Sequence, residues 1–544
     1  MTTRRTAALV AALALMTTAA APAMAEPAAP GADAARAPAV AAPELDWRDC
    51  PDGADAFDCT SVELPSDYDR PHGPTTTVAV TRLPATGPGE RLGSVFVNFG
   101  GPGGEGVSTL HAIGHELFEP SVREKFDIVA FDPRGVGASD PATCYPDQES
   151  EDEALAGMLA LPHDRRQERR FLAEAAQVGL ACATMSPDRF GTASSANVAR
   201  DMDLLRQAVG DEKLTYVGYS YGTILGATYG MLFPGNVRAM VLDGPLDPRQ
   251  WSGVGSRELL GTRLLQARGG HEAFAELWRL CEQAGPAECS TAGLGDAATV
   301  AEQVLTEIRR TPAEVPMPDG GTITYTYDML LLETFFSLYT VAGYEPVADV
   351  YTYFAGLLGI GPATRSRTAA PDVPEFRLGR EDYPSVGTAL GTLCADVEVP
   401  RNPLTYPRQV RELNERYPHF GLLRGWVGVH CAFLPVEDED AYQGPWIQSA
   451  HVPVLVIGTR FDPATHYDHT APYASLWPDA RTLTIEGYGH TSQNAASPCA
   501  HAAIADYLLT LAAQDGTVCE GAKPFTPADP RATNELRPEL PAPF

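Results

Sequence analysis

Residues Leu214 to Thr223 read LTYVGYSYGT, and within them Gly218-Tyr219-Ser220-Tyr221-Gly222 fits the pattern G-x-S-x-G. A serine hydroxyl is a weak nucleophile until a base takes its proton. The pattern predicts a strained strand-to-helix turn that lifts the hydroxyl clear of a sheet, with small flanking residues to keep side chains from colliding. The base is expected late in the chain. His490, in EGYGHTSQ, follows the run RTLTI and lies in a glycine-bracketed loop, the setting for a mobile, exposed imidazole. An acid must then hold the imidazole tautomer and stabilise the imidazolium. Asp462 follows the apolar run of VPVLVIGTRFDPAT; Asp468 is its nearest rival, further from the strand end. Such a set performs acyl transfer through a covalent intermediate and requires neither a metal nor an organic cofactor.

The oxyanion formed in that reaction needs backbone donors, each typically worth about 10²–10³ in rate. The N–H of Tyr221, next to the nucleophile, is one. The second is expected in NFGGPGGEG, residues Asn98 to Gly106, which follows the apolar run SVFVN. Pro102 has no N–H, so Gly100 or Gly101 must supply it.

The elements that would position these groups alternate. SVFVN and FDIVAFD read as short strands, the second stopping at PRG. SSANVARDMDLLRQAVG reads as a helix with Val198, Met202, Leu205 and Val209 on one face, a serine cap and a terminating Gly210. LTYVG, the small-residue helix YGTILGATYGMLF and the strand VRAMVLDG follow. From Asp247 to Glu437 the signals are mostly helical, and strands return at VPVLVIG and RTLTIEG. The expected fold class is α/β, an α/β-hydrolase fold with a mostly parallel central sheet and a largely helical inserted cap. The order Ser220, Asp462, His490 is that of α/β-hydrolases. The expected organisation is a signal peptide at 1–25, a disordered linker or pro-segment at 26–43, core at 44–246, cap at 247–437, core again at 438–524 and a Pro-rich tail at 525–544.

The 544 residues carry a net charge of −30. That argues against a nucleic-acid partner, which needs a basic surface. MTTRR, a short apolar run and AMA at Ala23–Ala25 make a secretory leader, so a secreted, extracellular protein with no membrane association after cleavage is expected. Ten cysteines fit an oxidising compartment. The nearest-neighbour set is Cys50 with Cys59, Cys144 with Cys182, Cys281 with Cys289, Cys394 with Cys431, and Cys499 with Cys519, one of many possible connectivities. No clustered Cys/His pattern suggests zinc.

GGPGG, FDPRGVGASD, GYSYGT, GTRFDPAT and GHTS together resemble the prolyl-iminopeptidase-related α/β-hydrolases, and among them the secreted tripeptidyl aminopeptidases of actinobacteria. The resemblance spans about Leu45 to Cys519 and includes TLCADVEVP in the insert. It implies a serine exopeptidase that releases short peptides, tripeptides foremost, from free peptide or protein N-termini under a closing cap; a monomer is expected. A carboxylesterase or lactonase on the same triad is the alternative. Two positions depart from the pattern: Glu105 replaces a small residue, and His466 replaces a common proline. Glu105, Asp396 and Glu398 are candidates for binding the substrate amine. Asp132 and Arg134 read as shapers of the adjoining turn.

Overall fold

The computed structural model describes residues 40–316, 321–361, 386–448, 451 and 453–526. The leader, most of the linker and nearly all of the tail fall outside the described residues. The strands are β1 (Arg48–Asp49), β2 (Asp58–Pro65), β3 (Thr75–Leu83), β4 (Gly93–Asn98), β5 (Phe126–Phe131), β6 (Leu214–Tyr219), β7 (Val237–Asp243), β8 (Ala313–Pro316), β9 (Thr322–Tyr325), β10 (Val454–Phe461), β11 (Ala480–Tyr488) and β12 (Thr517–Glu520). Ten of them form one sheet in the order β1-β2-β3-β5-β4-β6-β7-β10-β11-β12. Pairing is parallel from β5 through β12 and antiparallel among β1, β2, β3 and β5.

The central strands are buried on both faces, which is why they read as unbroken apolar runs. Along β4, Val95 and Val97 enter one layer and Phe96 the other. The first layer is closed by the helices Val107–Ile113 and Pro498–Thr510. The second is closed by Ser195–Ala208, through Val198, Ala199, Met202 and Leu205, and by Gly222–Leu232, through Leu225, Ala227 and Tyr229. Strands β4, β6, β7, β10 and β11 run parallel, so their C-terminal ends share one edge of the sheet.

Residues 247–437 hold a separate core of Trp278, Val304, Leu331, Phe335, Tyr351 and Phe420, drawn from its helices. They also hold a hairpin, β8–β9, that helical periodicity does not reveal. Part of the helical layer comes from earlier in the chain. The helix Arg165–Met185, between β5 and β6, packs Phe171 and Ala175 against Tyr406, Val410 and Trp426 of the insert. The tail begins by docking on the insert too. Phe525 is buried in its core and donates its N–H to Glu345 Oε1 at 3.1 Å. The ten cysteines are joined as Cys50–Cys59, Cys144–Cys182, Cys281–Cys289, Cys394–Cys431 and Cys499–Cys519.

Candidate active site

Ser220 stands between the end of β6 and the helix Gly222–Leu232 with φ of +55°, a left-handed conformation that only a tightly held turn imposes on a side-chain-bearing residue. Its N–H is fixed by the carbonyl of Asp243 at 2.9 Å. The flanking glycine is a steric necessity. A Cβ on Gly222 would meet Asn98 O at 2.8 Å and Asn98 Oδ1 at 2.9 Å.

Asp462 follows β10 and is 1 % exposed. Its Oδ1 accepts the N–H groups of Ala464 and Thr465, each at 2.8 Å, and its Oδ2 accepts the Thr465 hydroxyl at 2.8 Å. His490 Nδ1 lies 2.8 Å from Oδ2, which fixes the ring and leaves Nε2 as its free edge. His490 and Ser220 both lie at the end of β7. Asp243 holds the serine backbone, and the neighbouring Gly244 lies against His490 Cε1. No hydrogen bond joins Ser220 Oγ to His490 Nε2 among the described residues; such contacts commonly tighten only when substrate binds.

The expected exposed imidazole is a buried one. His490 is 2 % exposed, because the insert reaches over it. Its N–H donates to Tyr339 O at 2.7 Å, and the Tyr339 ring stands edge-on to the imidazole with centroids 5.0 Å apart. Nothing local in the sequence marks Tyr339, which lies 151 positions before His490.

Gly100 is pressed against the elbow, with a Cβ there falling 2.8 Å from Tyr219 O and 2.9 Å from Ser220 Cβ. Its own N–H donates to Asn98 Oδ1 at 3.1 Å, so of the two candidate glycines it is the committed one. Among the described residues, neither Gly101 nor Tyr221 has a protein acceptor for its backbone N–H. Asp132 accepts Gly106 N–H at 2.8 Å and Val107 N–H at 2.9 Å and so anchors the far end of the glycine loop. Arg134 is buried on Asp201 and on the carbonyls of Pro65 and Ser66, a structural duty.

The three candidate amine-binding acids are dispersed. Glu105 Oε2 accepts the Ser108 hydroxyl at 2.7 Å. Glu398 Oε2 accepts Gly255 N–H at 2.8 Å. Asp396 is buried and accepts from Ser195 N–H at 2.8 Å, from Ser195 Oγ, and from Trp251 Nε1 at 3.2 Å. It is therefore turned into the protein, not toward a substrate. Asp468 pairs with Arg268 at 2.7 Å, away from His490, and His466 bridges to Glu272 of the insert at 3.1 Å.

Asp243 is a further buried carboxylate at this edge. Burial pushes it up to about 6, with Ser492 N–H its donor at 3.0 Å. The sequence carried a signal for it, since VRAMVLDG ends in an acid and a glycine just as the strands on either side end in site residues.

The sheet order and the family model matching residues 95–272, described as alpha/beta hydrolase fold, together with the aminopeptidase and serine protease relatives, define the class: this is a serine hydrolase of α/β-hydrolase fold. Residues 417–519 match a second model, described as TAP-like protein. The tripeptidyl aminopeptidase of Streptomyces lividans is 30% identical over 482 residues, covering 86% of this chain and 84% of that protein. Serine protease Hip1 of Mycobacterium tuberculosis is 29% identical over 467 residues, covering 83% and 85%. Carboxylesterase B of the same species is 29% identical over 518 residues, covering 90% and 91%. The chain belongs to the tripeptidyl-aminopeptidase-like family of α/β-hydrolases.

Proposed function

We propose that this chain is an exported serine exopeptidase that releases short peptides, tripeptides foremost, from free N-termini. The observation that carries the reading is an imidazole held by Asp462 at the sheet edge where Ser220 occupies its strained turn, with two backbone N–H groups without protein acceptors, those of Gly101 and Tyr221. In this mechanism Ser220 Oγ attacks the scissile carbonyl while His490 Nε2 takes its proton. The oxyanion is received by Gly101 and Tyr221 N–H. His490 then hands the proton to the departing amine, and water, deprotonated by the same nitrogen, releases the acyl group. Asp462 keeps Nδ1 protonated and offsets the imidazolium charge throughout.

The names of the tripeptidyl aminopeptidase and serine protease relatives support peptide substrates. The leader-like N-terminus and five disulfides support export. The insert at 247–437 acts as the cap, and Glu105, beside the glycine loop, is assigned the amine contact. A carboxylesterase reading is favoured by one observation, the likeness to Carboxylesterase B over 90% of the chain. Three chromogenic substrates decide: a free-amine tripeptide anilide, its N-acetylated twin and a short-chain nitrophenyl ester. Strong cleavage of the first, lost on acetylation, is expected; hydrolysis of the ester alone would replace the peptidase reading with the esterase one.

A further inference from the structure

The carboxylate of Asp396 is out of a substrate's reach, yet it is wired to the active-site turn. It accepts the N–H and hydroxyl of Ser195, and that hydroxyl meets Tyr221 OH at 2.6 Å. Trp251 closes the circuit, with its Nε1 on Asp396 Oδ2 at 3.2 Å and its ring 5.5 Å from that of Tyr221. Tyr221 is therefore held at its hydroxyl by Ser195, which Asp396 holds in turn, while its backbone N–H has no protein acceptor among the described residues.

The element that carries Asp396 also leans on the other oxyanion donor. Asp396 ends the helix Val386–Asp396 of the insert. The same helix abuts the glycine loop at Gly103, where a Cβ would fall 2.8 Å from both the N and the Cα of Ala389. Gly103 is two residues from Gly101. One helix of the insert thus supports both halves of the oxyanion site, one by close backbone packing and the other through a buried carboxylate. Burying that carboxylate is costly, and burial pushes it up to about 6. The three hydrogen bonds it accepts compensate, and all come from Ser195 and Trp251, the residues that touch Tyr221.

We infer that Asp396 is a positioning residue for the Tyr221 oxyanion donor, acting through Ser195, so that the oxyanion hole is complete only while the helix Val386–Asp396 is docked. The inference rests on the serine-hydrolase mechanism proposed above. It assigns Asp396 to transition-state stabilisation and removes it from amine recognition.

The test uses the full-length protein with the variants Asp396→Asn, Ser195→Ala and the double variant, a free-amine tripeptide anilide, and the matching tripeptide aldehyde, whose hemiacetal places an oxygen in the oxyanion site. Misplacing a catalytic group by about 1 Å costs on the order of 100-fold. We expect Asp396→Asn to lower kcat about 10- to 100-fold with KM within about twofold, and to weaken the aldehyde by a similar factor. The double variant is expected to match the worse single one, as members of one chain do. Ser195→Ala keeps the test informative if Asp396→Asn does not fold. Unchanged kcat and aldehyde affinity, with only a lower Tm, would overturn the inference. So would a raised KM confined to free-amine substrates, which would return Asp396 to the amine. Failure of the underlying mechanism has a different signature: Ser220→Ala would then retain turnover.

Discussion

Ser220 sits at a φ of +55°, a conformation that costs a side-chain-bearing residue about 1–3 kcal/mol and persists only where the surroundings enforce it. The enforcement is visible in the Asp243 carbonyl on its N–H and the close-packed glycine on its C-terminal side. Replacing Ser220 by alanine removes the nucleophile and is expected to cut kcat by about 10⁶, as measured by steady-state anilide hydrolysis, with loss of fluorophosphonate labelling. Asp243 supplies a pH prediction. Its folded value of about 6 lies above the ordinary carboxylate value of 3.8, so between those limits the folded protein holds a proton that the unfolded chain has released. Stability from this residue therefore falls as pH rises through that window, and the penalty is complete above about 6. Asp243→Asn has no charge to bury and should gain in Tm relative to wild type between pH 4 and pH 7. A gap that stays constant would remove Asp243 as its source. At this scale the sequence marked Ser220, Asp462 and His490 as candidates by residue type and neighbours, and what the structure adds is the turn at Ser220 and the Asp462–His490 hydrogen bond. The sequence was not legible where a role depends on distant packing. The burial of His490 under Tyr339 and the inward turn of Asp396 are set by an insert whose path over the site leaves no local pattern.

The elements obey simpler rules. β4, β6, β7 and β10 are short apolar runs whose C-terminal ends carry the glycine loop, Ser220, Asp243 and Asp462 to the same edge of the sheet. The strand-then-glycine pattern was readable because doubly buried strands admit few polar residues. Less readable was the ownership of the helices. Arg165–Met185 lies before Ser220 in sequence but packs with the insert, since amphipathic periodicity tells which face is buried and not against what. The hairpin β8–β9 escaped for a similar reason: its strands are four residues each, and β9 is largely exposed and has little apolar alternation. The elbow makes a prediction at this scale. Gly222→Ala would push a methyl group to within 2.9 Å of two Asn98 atoms, backbone oxygen included. Asn98 also holds Gly100, so the shift is transmitted to the glycine loop. Activity is expected to fall at least 10-fold at temperatures where circular dichroism still reports a folded protein. Wild-type turnover in this variant would mean that the elbow and the loop are not coupled.

In the whole molecule, each disulfide lies within the sheet-bearing part or within the insert, and none bridges the two. The disulfides close loops of 8 to 38 residues, and Cys394–Cys431 ties the helix bearing Asp396 to the segment Val429–Phe433. Replacing both of these cysteines by serine should lower stability by about 2–4 kcal/mol in denaturant unfolding. If the helix Val386–Asp396 positions the oxyanion donors, kcat should fall as well, below the unfolding temperature. Pairing by sequence proximity was a reasonable expectation because short loops close at little entropic cost. The architecture of an interrupted sheet was legible for the same reason that its strands were.

The Tyr339 roof over His490 has a consequence for the size of what can be cut. With the imidazole 2 % exposed and its backbone tied to the insert, a chain attacked under the mechanism proposed above would have to pass beside that roof. A loose chain end is one strand wide and can thread; a loop on a folded protein presents two strands and their attached bulk. On the proposed reading the molecule would discriminate by the girth of its substrate before any side chain is inspected. Folded proteins with buried termini, other copies of this chain among them, should pass through its company uncut while short peptides beside them are trimmed.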